Sequence, residues 1–256
     1  MEKRMERNRI KRKLSLRSRA RIAAGFVIVL AFVLLAGGIR LSTRTTDVPV
    51  TKAALDALPL DDINKLMVVA HPDDETFWGG EHLAEESYLV VCLTCGRDPV
   101  RREEFEQAVR HAGSVPLILN YPDKVLGIRS RWTGYLDDIR EDLSVLLDYR
   151  DWDAVVTHNP DGEYGHLHHR RTSSMVTAQT RKHEGMSLYY FGIYHTPREL
   201  EEMDMAGSLP ERLGLELFEM KEQMVGFYSS QERIAGQFCH MFPFEDWYEA
   251  DWIETK

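Results

Sequence analysis

The chain has 256 residues, 43% of them apolar and 29% charged, with five Trp. That composition excludes collagen-like, low-complexity and wholly disordered chains, and the length allows one large or two small domains. A mean hydropathy of −0.36 excludes a polytopic membrane protein, and the net charge of −9 is unevenly spread. Residues 1–44 carry twelve Lys and Arg against Glu2 and Glu6, a net of +10, so the remaining 20 basic and 39 acidic side chains leave 45–256 at −19.

The basic tail, 1–21, holds ten Lys and Arg between Lys3 and Arg21. Behind it runs IAAGFVIVLAFVLLAGGI, residues 22–39, eighteen residues without a charge. As a helix this rises roughly 27 Å, about one hydrocarbon core, and predicts a transmembrane signal-anchor. Because the positive charge lies ahead of the span, the N-terminus stays in the cytoplasm and the acidic body is extracytoplasmic, on a single-pass cell-membrane protein. The competing reading is secretion after cleavage near Ala36-Gly37-Gly38. The apolar run exceeds the ~7–15 residues of a cleaved signal core, which favours the anchor. Anionic lipid suits the basic tail better than nucleic acid does, since a body at −19 repels a polyanion.

Residues 40–62 read as a juxtamembrane connector with one short helical stretch, and 63–256 as the folded body. Short β-rich runs at 65–70, 88–94, 116–119, 154–157 and 188–194 predict strands. Between them, 99–112 opens on Pro99 and stops at Gly113, with Val100, Phe105, Ala108, Val109 and Ala112 on one side. The pattern recurs over 134–150 with Leu136, Ile139, Leu143, Leu146 and Leu147. Further helices are expected over 197–237, where Leu217, Met220, Met224 and Phe227 read as core packing. The aromatic tail 238–252 reads as core cover or a sheet edge. Strands alternating with helices give an α/β, Rossmann-like fold, a mostly parallel sheet with helices on both faces. No G-x-G-x-x-G follows the first strand, which excludes the nucleotide-binding variant. Three cysteines cannot pair completely; Cys92 reads as a buried small hydrophobe, and Cys92-x-x-Cys95 lacks a second pair to complete a zinc site.

Two clusters carry chemistry. His71-Pro72-Asp73-Asp74-Glu75 follows the first strand of the body, where the loops of an open α/β sheet form the binding crevice. Pro72 stiffens the turn, and Gly79-Gly80 is read as letting the backbone approach closely so that these groups converge. An imidazole with a nearby carboxylate suits Zn²⁺, and a second carboxylate left off the metal can serve as a base. The second cluster, His158 to Arg170, follows the strand 154–157. A helix starting near Gly165 puts His166 and His169 on one face and turns His168 elsewhere. Three protein ligands with an open fourth position is the arrangement of a catalytic zinc. His158 is placed to orient a ligand through its ring, as is His168, and Arg101, Asn159 and Asp161 are candidates for a polar rim to the crevice. His82, His111, His183, His195 and His240 read as surface or structural.

At these residues the chain resembles the PIG-L or LmbE-like N-acetylglucosaminyl deacetylases. The likeness rests on an AHPDDE-type motif at 70–75 and a GH-x-x-H motif at 165–169. It extends through the Arg- and Glu-rich helix VRREEFEQAVRHAG at 100–113 and Tyr228-Ser229-Ser230-Gln231, over roughly 64–235. The resemblance implies that His71, Asp74 and His169 bind zinc, that Asp73 is the general base, and that His166 stabilises the oxyanion or protonates the leaving amine. It also implies that Arg101 contacts substrate. The sequence departs from the family at His168, where many members have Asp in a His-Pro-Asp-His string. The expected activity is removal of an acyl group, acetyl foremost, from an N-acylated amino sugar or glycan, with Zn²⁺ as cofactor and Fe²⁺ or Co²⁺ acceptable to the same ligands. Two alternatives stand beside it: a zinc hydrolase of another amide or ester, and a membrane-anchored sugar-binding protein without turnover.

Overall fold

The computed structural model describes residues 49–251. The basic tail and the span expected over 22–39 lie outside the described residues. Among the described residues no helix is long and apolar enough to cross a membrane.

The elements run in the order α1 (Lys52–Asp56), β1 (Lys65–Val69), α2 (Asp74–Glu85), β2 (Leu89–Thr94), α3 (Pro99–His111), β3 (Val115–Tyr121), then the hairpin β4 (Lys124–Val125) and β5 (Ile128–Arg129). They continue as α4 (Leu136–Leu147), β6 (Ala154–Thr157), α5 (Leu167–Thr180), β7 (Ser187–Tyr190), α6 (Pro197–Ala206), α7 (Leu215–Gly226), α8 (Glu232–Phe238) and β8 (Tyr248–Glu249). The main sheet has the order β3-β2-β1-β6-β7-β8. All its pairings are parallel except that of β8, which runs antiparallel along β7.

Strand β1 lies between β2 and β6 in register, Met67 facing Val90 on one side and Val156 on the other. Successive residues of a strand point to opposite faces. Leu66 and Val68 accordingly join one core with Leu143 and Leu146 of α4 and Val176 of α5. Met67 and Val69 join the other with Phe77 and Leu83 of α2, Phe105 and Val109 of α3 and Met224 of α7. Both faces of the sheet are covered, as the runs of buried Val, Leu and Ile require. From β1 the chain winds outward through β2 to β3, then returns to the other side of β1 through β6 and β7. The crevice beyond the carboxyl ends of β1 and β6 is therefore the switch point of the sheet, where open α/β folds place their ligands.

Helix α3 starts where the sequence predicts. Asp98 caps it by accepting from the amides of Val100 and Arg101, Pro99 occupies the first turn, and Gly113 follows its end at φ 73°. Four features differ from the sequence reading. Residues 191–194 leave the sheet because Asn159 takes the carbonyls of Phe191 and Gly192. The segment 74–85 is a helix, so Gly79 and Gly80 do not act in the turn. A Cβ on Gly80 would stand 2.7 Å from Lys221 Cγ, so this glycine serves the packing of α2 against α7. The hairpin β4–β5, with Leu126 and Gly127 both at positive φ, is an element the sequence pattern did not announce. Val50, Leu55 and Leu60, read as connector, are buried in the core of the body.

The aromatic tail covers the core, with Phe238, Phe242 and Phe244 buried and Tyr248 in the edge strand. It is fastened by a buried ion pair. Lys221, with no exposed surface, donates to Glu245 at 2.7 Å, and Glu245 also accepts from the amides of Glu81 and His82 and from His82 Nδ1 at 2.8 Å. Burial raises the Glu245 carboxyl, but Lys221 and His82 outweigh it and bring it to about 2. A carboxyl held below its unfolded value of ~4.3 stabilises the fold above that pH, and the stabilisation is lost as pH falls toward the folded value. Glu245→Gln leaves Lys221 buried beside a neutral amide, and an ion pair broken in this way typically costs about 3–5 kcal/mol. Denaturant unfolding should show that loss at pH 7, and the gap between wild type and variant should narrow as pH falls below about 4.

Candidate metal centre at the sheet switch point

The first cluster turns out of β1 into α2. Asp74 is the first residue of that helix, where the dipole favours its carboxylate, and its Oδ2 accepts from the His71 amide at 2.8 Å. Asp73 precedes it at φ 113°, a conformation that L residues rarely adopt and that costs on the order of 1–3 kcal/mol. Glu75 holds it there, accepting the Asp73 amide at 3.1 Å, while the Tyr228 hydroxyl donates to Glu75. The second cluster turns out of β6 through a tight loop. Gly162 sits at φ 69°, and a Cβ there would stand 2.7 Å from the His166 carbonyl oxygen, so only glycine fits. His166 is the N-cap of α5, and His168 and His169 lie in its first turn.

The structure brings both clusters to one point. The carboxylate of Asp74 lies between two imidazoles, Oδ2 being 3.2 Å from His71 Nδ1 and Oδ1 3.3 Å from His169 Nε2. His169 Nδ1 donates to Glu163 Oε2 at 2.5 Å, which leaves Nε2 as a bare lone pair, and this buried atom has no hydrogen-bond partner. The ring of His166 packs at 4.5 Å from that of His169 and 4.8 Å from that of His71, and its buried Nδ1 is likewise unpartnered. Nitrogens of His71, His166 and His169 lie within 4.8 Å of one another. Two donors bound at ~2.0–2.1 Å to one tetrahedral ion are themselves about 3.3 Å apart, the separation found on either side of Asp74. An orphaned imidazole nitrogen facing a carboxylate, with a second on the adjoining ring, fits a divalent cation in this buried site.

His158 carries no such free atom. Its Nε2 accepts the Ala70 amide at 3.0 Å, so its proton is on Nδ1 and is donated to Glu163 at 3.1 Å. The ring stacks on His169 at 3.9 Å, and both rings share Glu163 Oε2. Glu163 is the residue that orients them. Burial raises its carboxyl, yet the two imidazoles bring it down to about 2. Its signal lay inside the second cluster, at a turn position where its role could not be read.

Asp73 belongs to none of the metal-competent groups among the described residues. Its Oδ2 pairs with Arg101 Nη2 at 3.3 Å, and the same guanidinium donates to the Pro72 carbonyl. Burial drives the Asp73 carboxyl up to about 8, with Arg101 opposing. Burial, His169 and His71 together push His166 down to about 2, so it is neutral.

His168 does not turn away from the cluster. It is fully buried, lies flat against the Trp132 indole with ring centroids 4.1 Å apart, and reaches the far edge of His71. Two rim candidates are misplaced. Asn159 is buried and spent on the loop, its Oδ1 accepting the Glu163 amide and its Nδ2 donating to Phe191 and Gly192. Asp161 is exposed outside the cavity, and its carbonyl accepts from Arg170. The cavity above the cluster, about 250 Å³, is instead bordered by Arg101, Lys124, Arg129, Trp78, Tyr164 and Gln231. Asp123, Ser130 and Trp132, all missed in the sequence, come from the segment around the β4–β5 hairpin.

With this geometry in place, comparisons with known proteins point to one family. Residues 66–180 match the family model described as PIG-L, GlcNAc-PI de-N-acetylase. Over that stretch the chain is similar to the PIG-L domain. An uncharacterized protein of Acanthamoeba polyphaga mimivirus is 32% identical over 130 residues, covering 44% of this chain and 56% of that protein. The chain thus spans little more than half of that relative's length. Among solved structures the A40926 pseudoaglycone deacetylase is similar at TM-score 0.53 and 18% identity, covering 69% of this chain and 85% of that one. The N,N'-diacetylchitobiose deacetylase from Pyrococcus horikoshii is similar at TM-score 0.53 and 17% identity, covering 80% of this chain and 94% of that one. At these identities the two likenesses show the shared fold.

Because Glu163 fixes the protons of two rings at once, Glu163→Gln should lower divalent-ion affinity by about 10–100-fold. Competition between the protein and a chromophoric chelator for Zn²⁺ measures this directly.

Proposed function

We propose that this chain is a metal-dependent N-deacetylase that removes an acyl group, acetyl foremost, from an N-acylated amino sugar or glycan, using Zn²⁺. The observation that carries the reading is the pairing of two different carboxylates. Asp74 lies between the imidazoles of His71 and His169, while Asp73, its neighbour in sequence, is turned aside to Arg101. The family description and the deacetylases of like fold support the reaction class.

His71, Asp74 and His169 would hold the ion. When bound, it supplies a Lewis acid for the acyl oxygen and lowers the pKa of water toward ~7. Asp73 takes the proton of the attacking water and hands it to the amide nitrogen, so that the C–N bond breaks to a neutral amine. The Arg101 guanidinium orients Asp73 and favours its ionised form against burial. His166, neutral and close to both ligand imidazoles, serves as a hydrogen-bond donor to the acyl oxygen as negative charge develops there. Trp78 and Tyr164 offer apolar faces to a sugar ring, and Arg101, Arg129 and Gln231 offer donors to its hydroxyls.

Protein stripped of metal should release no acetate from N-acetyl sugars and should recover with Zn²⁺. Asp73→Asn should keep its metal and lose about 10²–10⁴-fold in turnover, the range of a general acid–base group. Wild-type turnover by that variant sinks the base assignment. Preferred hydrolysis of O-acetyl esters or peptides in the same panel favours a zinc hydrolase of another amide or ester.

The sequence reading further leads us to propose that residues 22–39 anchor the domain to the membrane, with the domain extracytoplasmic. Protease added to intact cells should then digest the domain, and a protected domain refutes this topology.

A further inference from the structure

Two hydrogen bonds determine which nitrogen His71 turns toward Asp74. The Ser130 carbonyl oxygen can only accept, so the His168 Nε2 lying 2.7 Å from it carries the proton. A neutral His168 then has a bare Nδ1, and that atom stands 3.0 Å from His71 Nε2. His71 therefore donates its Nε2–H to His168 and presents Nδ1 to Asp74 Oδ2, 3.2 Å away. The assembly is stiff. His168 is fully buried and parallel to the Trp132 ring within 1°, and Trp132 is itself fixed by its indole N–H to the Pro122 carbonyl at 2.9 Å.

Asp123 approaches the same edge, with Oδ1 3.6 Å from His71 Nε2 and 3.7 Å from His168 Nδ1. The trio His71, Asp123 and His168 is thus also a group of metal-ligating type. The distances favour the hydrogen bond, because the two ring nitrogens are at bonding separation from each other and the carboxylate oxygen is not.

Resting on the metal-dependent reading above, we propose that His168, locked by the Ser130 carbonyl and Trp132, is a positioning residue that holds His71 in its Nε2–H tautomer and so offers Nδ1 to the metal. The imidazole that stands where many family members carry an aspartate acts on His71.

The test compares the full wild-type chain with His168→Phe, which keeps a ring against Trp132 but removes the acceptor, and with His168→Asn, whose Oδ1 takes the place of Nδ1. Zinc affinity is read by chelator competition, stoichiometry by elemental analysis, and the His71 tautomer by long-range ¹H–¹⁵N correlation of histidine-labelled protein. The expected result is one Zn²⁺ per wild-type chain, an Nε2–H form of His71, affinity weakened about 10–100-fold in His168→Phe and within about threefold of wild type in His168→Asn. An Nδ1–H form of wild-type His71 overturns the proposal without recourse to any variant. So does unchanged affinity in His168→Phe, an equal loss in both variants, or a second wild-type ion that disappears in His168→Phe. Acetate release by wild type with flat zinc affinities sinks only the role of His168. The expected zinc pattern without acetate release from any N-acetyl sugar sinks only the deacetylase reading. Failure of wild type to bind zinc sinks both.

Discussion

A carboxylate enclosed by imidazoles is the constraint on which the rest of this domain depends. Asp74 is buried, and in neutral His169 the ring nitrogen facing it is a bare lone pair, because the hydrogen bond to Glu163 keeps the proton on Nδ1. Lone pairs converging on a negative group in a desolvated site repel unless positive charge stands between them. The fold supplies that arrangement at the one place where it is cheap to build. The ends of β1 and β6 are adjacent in the sheet, so two loops far apart in sequence open side by side. The start of α2 adds a favourable dipole beneath the carboxylate.

The support around the site is also electrostatic. Glu75 receives the Tyr228 hydroxyl and the Asp73 amide. Glu104 of α3 receives the hydroxyls of Ser229 and Ser230 and the Ser230 amide at 2.7 Å. These two carboxyls tie the late Tyr-Ser-Ser-Gln element to the early motif and to α3, which leaves Gln231 at the cavity wall. Residues that look like a catalytic signature in the sequence therefore divide in the structure. Some face the cavity, and others hold it in shape.

That division marks how far the sequence could be read. Strands β1, β2 and β6 were legible because short runs of Val and Leu buried on both faces admit little else, and the half-buried edge strand β3 from its Leu-Ile-Leu run. Helix α3 was legible because Asp98, Pro99 and Gly113 punctuate it. The convergence of His71, Asp74 and His169 was legible from the position of each motif after a strand. Helix α2 was hidden, since its first turn is the motif itself and its two glycines read as a turn, whereas Gly80 packs closely on α7 and Gly79 on Met67 and Trp247. The polar rim was misjudged for a similar reason. Asn159 has the chemistry of a sugar ligand, but a loop this tight consumes its whole amide, and periodicity contains no information about such local demand. Arg129 and Lys124 come from a hairpin of two-residue strands, too short to leave a pattern.

His168 shows how a departure at one position can be compatible with the same chemistry. The crevice already gathers Asp73, Asp74, Glu75, Asp123 and Glu163, in a body that carries nineteen more acidic than basic side chains. A carboxylate at position 168 would face Asp123 across less than 4 Å, at the separation where His168 Nδ1 now stands. Like charges that close disfavour ionisation of both. A neutral imidazole accepts the same hydrogen bond from His71 without adding charge, and burial, with His71 beside it, keeps it neutral by lowering it to about 4. Neutrality requires that its second nitrogen have an acceptor, which the Ser130 carbonyl provides, and that its ring be held in plane, which Trp132 does. The hairpin segment, the fully buried Trp132 at positive φ and the histidine at 168 are thus one device. Each part is explained by the others, and a change at any one of them should be felt first at His71.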